Sequence, residues 1–167
     1  MEYYESSTLE HKEWCVPSTL QMLLKSRGIE ISQSEIAPCF DPVMIDFSFQ
    51  GFIFNNKSLQ NLLKKFNLKS EFRNPHESVE FYEECDLFLR EAVNRGDVIL
   101  GYDLPSIQKR ENGLRGHVSL IKEFDFISRT ITTIDPVLGE KNFTLGEFIV
   151  NMDPWKNKNY GFYVVGE

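Results

Sequence analysis

Three side chains in this 167-residue chain have the types and the placement for nucleophilic chemistry: Cys15, His117 and Asp135. A thiol is a weak nucleophile until it loses its proton. The aligned peptide dipoles at a helix N-terminus favour the thiolate, and a neighbouring imidazolium favours it further. An acid behind the imidazole fixes the ring tautomer and stabilises its charged form. Together these groups could run acyl transfer, in which sulfur attacks a carbonyl, imidazole shuttles the proton and carboxylate orients the imidazole. Spacing alone is a weak signal, since any chain of this length holds some Cys, His and Asp. The elements on which the three residues fall make it stronger.

Val16, Leu20, Leu23 and Leu24 recur at helical spacing, Pro17 suits the first turn, and Gly28 stops the run. Cys15 therefore stands at or just before a helix N-terminus. His117 opens a strand, 117–126, and Asp135 closes the next, 130–134, where Pro136 breaks the ladder. If the two strands are antiparallel neighbours, the start of one lies beside the end of the other. That arrangement predicts a hydrogen bond between His117 and Asp135.

The remaining elements frame these positions. Ser32–Glu35 and Thr144–Glu147 are capping boxes, each opening a short helix, the first ending near Pro38. Residues 39–56 are Phe-rich and irregular, ending in the turn signal Asn55-Asn56; the partly alternating Phe47, Phe49, Phe52 and Phe54 read as a core strand or hairpin. Leu59, Leu62, Leu63 and Phe66 share a helical face, 68–72 is extended, and 77–94 is helical in its second half. Val98-Ile99-Leu100 is an all-apolar run of the kind buried on both faces of a sheet, 105–115 reads as a loop, and 162–165 is the last strand. Helices come first and most strands later, which predicts an α+β fold with an antiparallel sheet. Aromatic residues make up 13% of the chain, and its 14 Phe run from Phe40 to Phe162, which predicts one domain over 1–167 around one continuous core.

Other candidates carry plainer readings. Cys39 and Cys85 have no His or base close in sequence, and carboxylates ring Cys85, so both read as structural or incidental thiols. His76 reads as a solvated surface residue. Cys15, His117 and Asp135 contain no close ligand pair of the CxxC or HxxxH type, and the glycines are scattered, so neither a metal, a phosphate loop nor any other cofactor is expected. Lys plus Arg is 18 against 25 Asp plus Glu, a net charge of −7, which gives no general pull on nucleic acid or anionic lipid. No run approaches the ~20 apolar residues of a membrane span, the start is acidic, and three cysteines are too few for a disulfide scaffold. The expectation is a reduced, cytoplasmic protein with free thiols.

On these motifs the chain resembles the C39-like branch of the papain-like cysteine peptidase superfamily. The matching pieces are the nucleophile helix 14–24 followed by Gly28-Ile29, the capped segment 32–36, the helix and strand over 89–102, and the histidine strand 116–121. The turn Asp135–Gly139 and the helix around Phe148, ending near Trp155, complete them. The resemblance spans nearly the whole chain, from about Cys15 to Val165. It implies a papain-like fold with an N-terminal nucleophile helix packed on an antiparallel sheet, a Cys15–His117–Asp135 triad, and a peptide or protein substrate. Two departures stand out. Leu9 occupies the place of the usual oxyanion-donating Gln, followed by Glu10, His11 and Lys12, and Val16 replaces the usual Gly after the cysteine. His11 and Trp14 are the candidates for oxyanion or substrate contact. The alternative to a peptidase or acyl-transfer hydrolase is a domain of the same fold that binds peptides without turnover.

Overall fold

The computed structural model describes residues 14–74, 81–103, 116–152 and 157–167, with 81–83 described as backbone only. Among the described residues five α-helices, α1 (Cys15–Ser26), α2 (Gln33–Ile36), α3 (Asn56–Leu63), α4 (Phe81–Arg95) and α5 (Leu145–Asn151), are interleaved with eight strands. Strands β1 (Pro42–Ile45) and β2 (Ser48–Phe52) form a separate hairpin. The others are β3 (Lys69–Arg73), β4 (Asp97–Asp103), β5 (Gly116–Asp125), β6 (Thr130–Asp135), β7 (Gly139–Thr144) and β8 (Gly161–Gly166). They build one six-stranded antiparallel sheet in the order β3-β8-β4-β5-β6-β7.

Local chemistry accounts for most boundaries. Helix α1 ends in a Schellman pair: Gly28 adopts φ +74°, its N–H bonds to the Lys25 carbonyl at 2.9 Å, and the Ile29 N–H bonds to the Leu24 carbonyl at 2.9 Å. Both capping boxes form in full, at Ser32 ahead of α2 and at Thr144 ahead of α5. Asn55 caps α3, whose Leu59, Leu62 and Leu63 are completely buried; burial of each contributes roughly 1.5–3 kcal/mol. The Asp125 carboxylate accepts the Ile127 N–H at 2.9 Å, closing the β5–β6 turn.

The core differs from the single mass expected from the aromatic distribution. The sheet divides it in two, because successive residues of a strand point to opposite faces. Ile99, Val118 and Leu120 join α1 and α3 on one side. Val98, Leu100 and Ile121 join α4 and α5 on the other. The Phe-rich segment read as irregular is the β1–β2 hairpin, with Phe54 buried just beyond it and Phe47 fully exposed at its tip. Strand β7 has no counterpart in the pattern reading; it is an edge strand with mostly exposed side chains, so no apolar alternation marks it. The expected 105–115 loop, His76 and the first half of 77–94 up to residue 80 lie outside the described residues.

Candidate active site

Cys15 is the first residue of α1, after Trp14 at the N-cap, which supplies no capping side chain. The first-turn N–H groups, that of Cys15 included, have no partner within the helix. Packing against the sheet aims this end of the helix. Val16 and Leu20 are buried in the core, and the Thr19 hydroxyl bonds to the Val118 carbonyl at 3.3 Å, one residue from His117. Trp14 meets Phe52 edge-on with ring centres 6.1 Å apart, which holds the hairpin beside the helix start.

The sheet register supplies the other two groups. His117 pairs with Tyr102 of β4, and Leu120 of β5 pairs with Ile134 of β6. One step further along the second ladder sets Asp135 level with Ser119. His117 Nε2 and Asp135 Oδ2 are hydrogen-bonded, and the Cys15 side chain lies near enough to His117 to bear on its ionisation. Nδ1 is therefore the ring nitrogen left for the sulfur. His117 is 8% exposed and Asp135 1%, whereas Cys15 is half-buried and opens on a cleft of about 320 Å³.

The electrostatics favour a charged imidazole. Burial pushes the His117 pKa down, but hydrogen bonding of the protonated ring to Asp135 and towards Cys15, and then their charges, override it and lift it from 6.5 to about 10. Burial pushes Asp135 up, and the His117 hydrogen bond and charge, the Ser119 hydroxyl and the Leu138 N–H together hold it below its ordinary 3.8. The carboxylate is fully occupied. Oδ2 also takes the Ser119 hydroxyl at 2.6 Å, and Oδ1 takes the N–H groups of Val137 and Leu138, each at 2.8 Å. Asp135 thus serves the turn and the histidine together.

The cleft walls are built from α1, the hairpin, the adjoining ends of β4 and β5, and the segment before β8. Among the described residues its lining carries no Asp, Glu, Lys or Arg; the polar side chains besides Cys15 and His117 are Gln50, Asn157, Asn159 and the Tyr160 hydroxyl. Gln50 reaches the cleft from a β-bulge: Val43 pairs with Gly51 and Met44 with Phe49, leaving Gln50 out of the ladder. Its amide makes no hydrogen bond among the described residues. Pattern reading missed Gln50, although the slip in phase between Phe49 and Phe52 marks the bulge. It missed Ser119 too, which lies two residues after His117 and so faces the same way. His11 and Leu9 lie outside the described residues, and no group of three His, Cys, Asp or Glu side chains suited to a metal occurs among the described ones.

No family model matches the chain, and no curated protein matches it. Solved structures do. A double glycine motif protease from an AMS/PCAT transporter, determined with its leader peptide, superposes with a TM-score of 0.57 at 13% identity over 97% of this chain and 89% of its own. The peptidase domain of Streptococcus ComA, a bifunctional ABC transporter of a quorum-sensing pathway, gives 0.62 at 12% identity over 98% and 96%. A candidate C39-like peptidase from Bacillus anthracis gives 0.64 at 15% identity over 93% and 90%. The chain is thus an α+β protein of papain-like architecture, with a helix packed on an antiparallel sheet. Within that class its fold is that of the C39 peptidase domains.

Proposed function

We propose that this chain is a cysteine peptidase or related acyl-transfer hydrolase in which Cys15, His117 and Asp135 act as a triad. The observation that carries the reading is the buried His117, hydrogen-bonded to Asp135 and lining the same cleft as Cys15. The Cys15 sulfur attacks the scissile carbonyl and forms a tetrahedral adduct. The imidazolium gives its proton to the leaving amine as the C–N bond breaks. Water, deprotonated by the imidazole, then attacks the thioester; the C–S bond breaks, the acid product leaves, and the Cys15 thiolate and the imidazolium are restored. The uncapped Cys15 N–H and the Gln50 amide donate to the oxyanion. Trp14 anchors the hairpin that carries Gln50.

The substrate is a peptide, in keeping with a neighbour of this fold captured with its leader peptide. Away from His117 the described lining carries no Asp, Glu, Lys or Arg, which fits uncharged, mainly apolar residues around the scissile bond. Three free thiols fit a reducing, cytoplasmic setting, and no described helix is long and apolar enough to cross a membrane.

The test is acyl-enzyme formation on an activated ester, read by intact mass. The wild-type chain gains the acyl mass and Cys15→Ala does not. Peptide binding with no adduct in the wild type would leave a binding domain of the same fold instead.

A further inference from the structure

Behind the candidate triad lie two buried hydroxyls that the proposed chemistry does not use. Ser119 Oγ donates to Asp135 Oδ2 at 2.6 Å, and Tyr102 Oη lies 2.8 Å from Ser119 Oγ. Both residues are completely buried, on the neighbouring strands β4 and β5. The order of the protons is determined by counting. A serine has one hydroxyl hydrogen, and an ionised carboxylate can only accept, so that hydrogen goes to Asp135. Tyr102 must then donate to Ser119. Burial also raises the Tyr102 pKa, with the Asp135 and Cys15 charges acting in the same direction against the Ser119 hydrogen bond, so the phenol keeps its proton. The Tyr102 ring stands edge-on to the His117 ring at 5.9 Å, so the same residue also borders the imidazole.

We propose that Tyr102 and Ser119 are positioning residues, a one-way hydroxyl relay that holds Asp135 as an oriented anion and through it holds His117 against Cys15. The proposal rests on the triad reading above and names what keeps that triad in place. The groups facing the carboxylate are His117 and Ser119 from β5, Tyr102 from β4, the Val137 and Leu138 N–H groups of its own turn, and Cys15 from α1 beyond the imidazole. Removal of the Ser119 hydroxyl takes one donor from the anion. Asp135 then takes up its proton at higher pH, and the imidazolium loses its counter-charge there.

The experiment is the pH profile of Cys15 alkylation by iodoacetamide, which needs no substrate and so reads the relay even if no acyl-enzyme is ever found. Ser119→Ala moves the acid limb of the profile up by roughly 1–2 pH units, the worth of one hydrogen bond to a charged group. Tyr102→Phe, which keeps the ring, moves it the same way by less. Because Tyr102 acts through Ser119, the double variant matches Ser119→Ala alone. Thermal unfolding identifies which variants remain folded, and Tyr102→Phe alone suffices if Ser119→Ala is not among them. An unmoved acid limb in a folded variant, or shifts that add in the double variant, overturns the relay.

Discussion

Cys15 and Cys85 are the same thiol in two settings. Cys85 is 4% exposed on α4, packed among Phe88, Leu89 and their neighbours, with no imidazole near it among the described residues. Burial pushes its pKa up to about 11, with Arg73 pulling down and Glu84 adding a small push. The carboxylates around it in sequence are therefore a lesser cause than the apolar packing. Cys15 is half-buried at a helix start and faces a cleft that it shares with His117, which the sheet holds nearby. Cys39 is intermediate: it is partly exposed, with the Lys65 ammonium 3.6 Å from its sulfur. Reactivity in this chain is thus set by the partners and solvent access that the fold provides, since the side chain itself is constant.

The widest gap between the settings is in alkylation. At pH 7 the thiolate fraction of Cys85 is on the order of 10⁻⁴ from its raised pKa alone, before burial slows access further. Peptide mapping after brief iodoacetamide treatment of the folded chain shows Cys15 labelled first, Cys39 next and Cys85 last. Labelling of Cys15 no faster than Cys39 would erase the distinction on which the proposed activity stands. Gln50 sharpens the comparison, because an oxyanion donor belongs to the cleft alone. Gln50→Ala lowers turnover of an activated ester by ~10²–10³ and leaves the Cys15 alkylation rate unchanged. A rise in KM with kcat intact would instead make Gln50 a ground-state contact. The smallest effect is on stability. Cys85→Ser places a hydroxyl among apolar side chains and costs about 1–3 kcal/mol in denaturant unfolding, while Cys39→Ser stays within about 0.5 kcal/mol. Neither changes esterase rate, and equal costs at the two sites would contradict their different burial.

Much of the scaffold was legible along the chain. The α1 start, both capping boxes and the β5–β6 pair follow from short-range chemistry: side chains satisfying nearby N–H groups, and apolar residues at the period of one element. The contact between His117 and Asp135 was legible too, because two adjacent antiparallel strands leave little choice of register. Strand β7 was not, since an exposed edge strand needs no apolar alternation. The hairpin was half visible. Its Phe residues alternate, but the bulge that expels Gln50 breaks the phase, so the segment read as irregular.

By itself the amino-acid order settled where α1, α2 and α5 begin and where α1 stops, which runs are apolar, and that a thiol sits at a helix start with a histidine and an acid on later strands. These are contests among neighbours a few residues apart, and local hydrogen bonds and burial periodicity decide them. Only the folded chain decided that Thr19 docks on Val118, that Tyr102 and Ser119 stand behind Asp135, and that Lys65 lies against Cys39. Those meetings join residues from 16 to 99 positions apart. They depend on strand order, register and the placing of helices on two faces of one sheet, none of which the energetics of any single segment can choose.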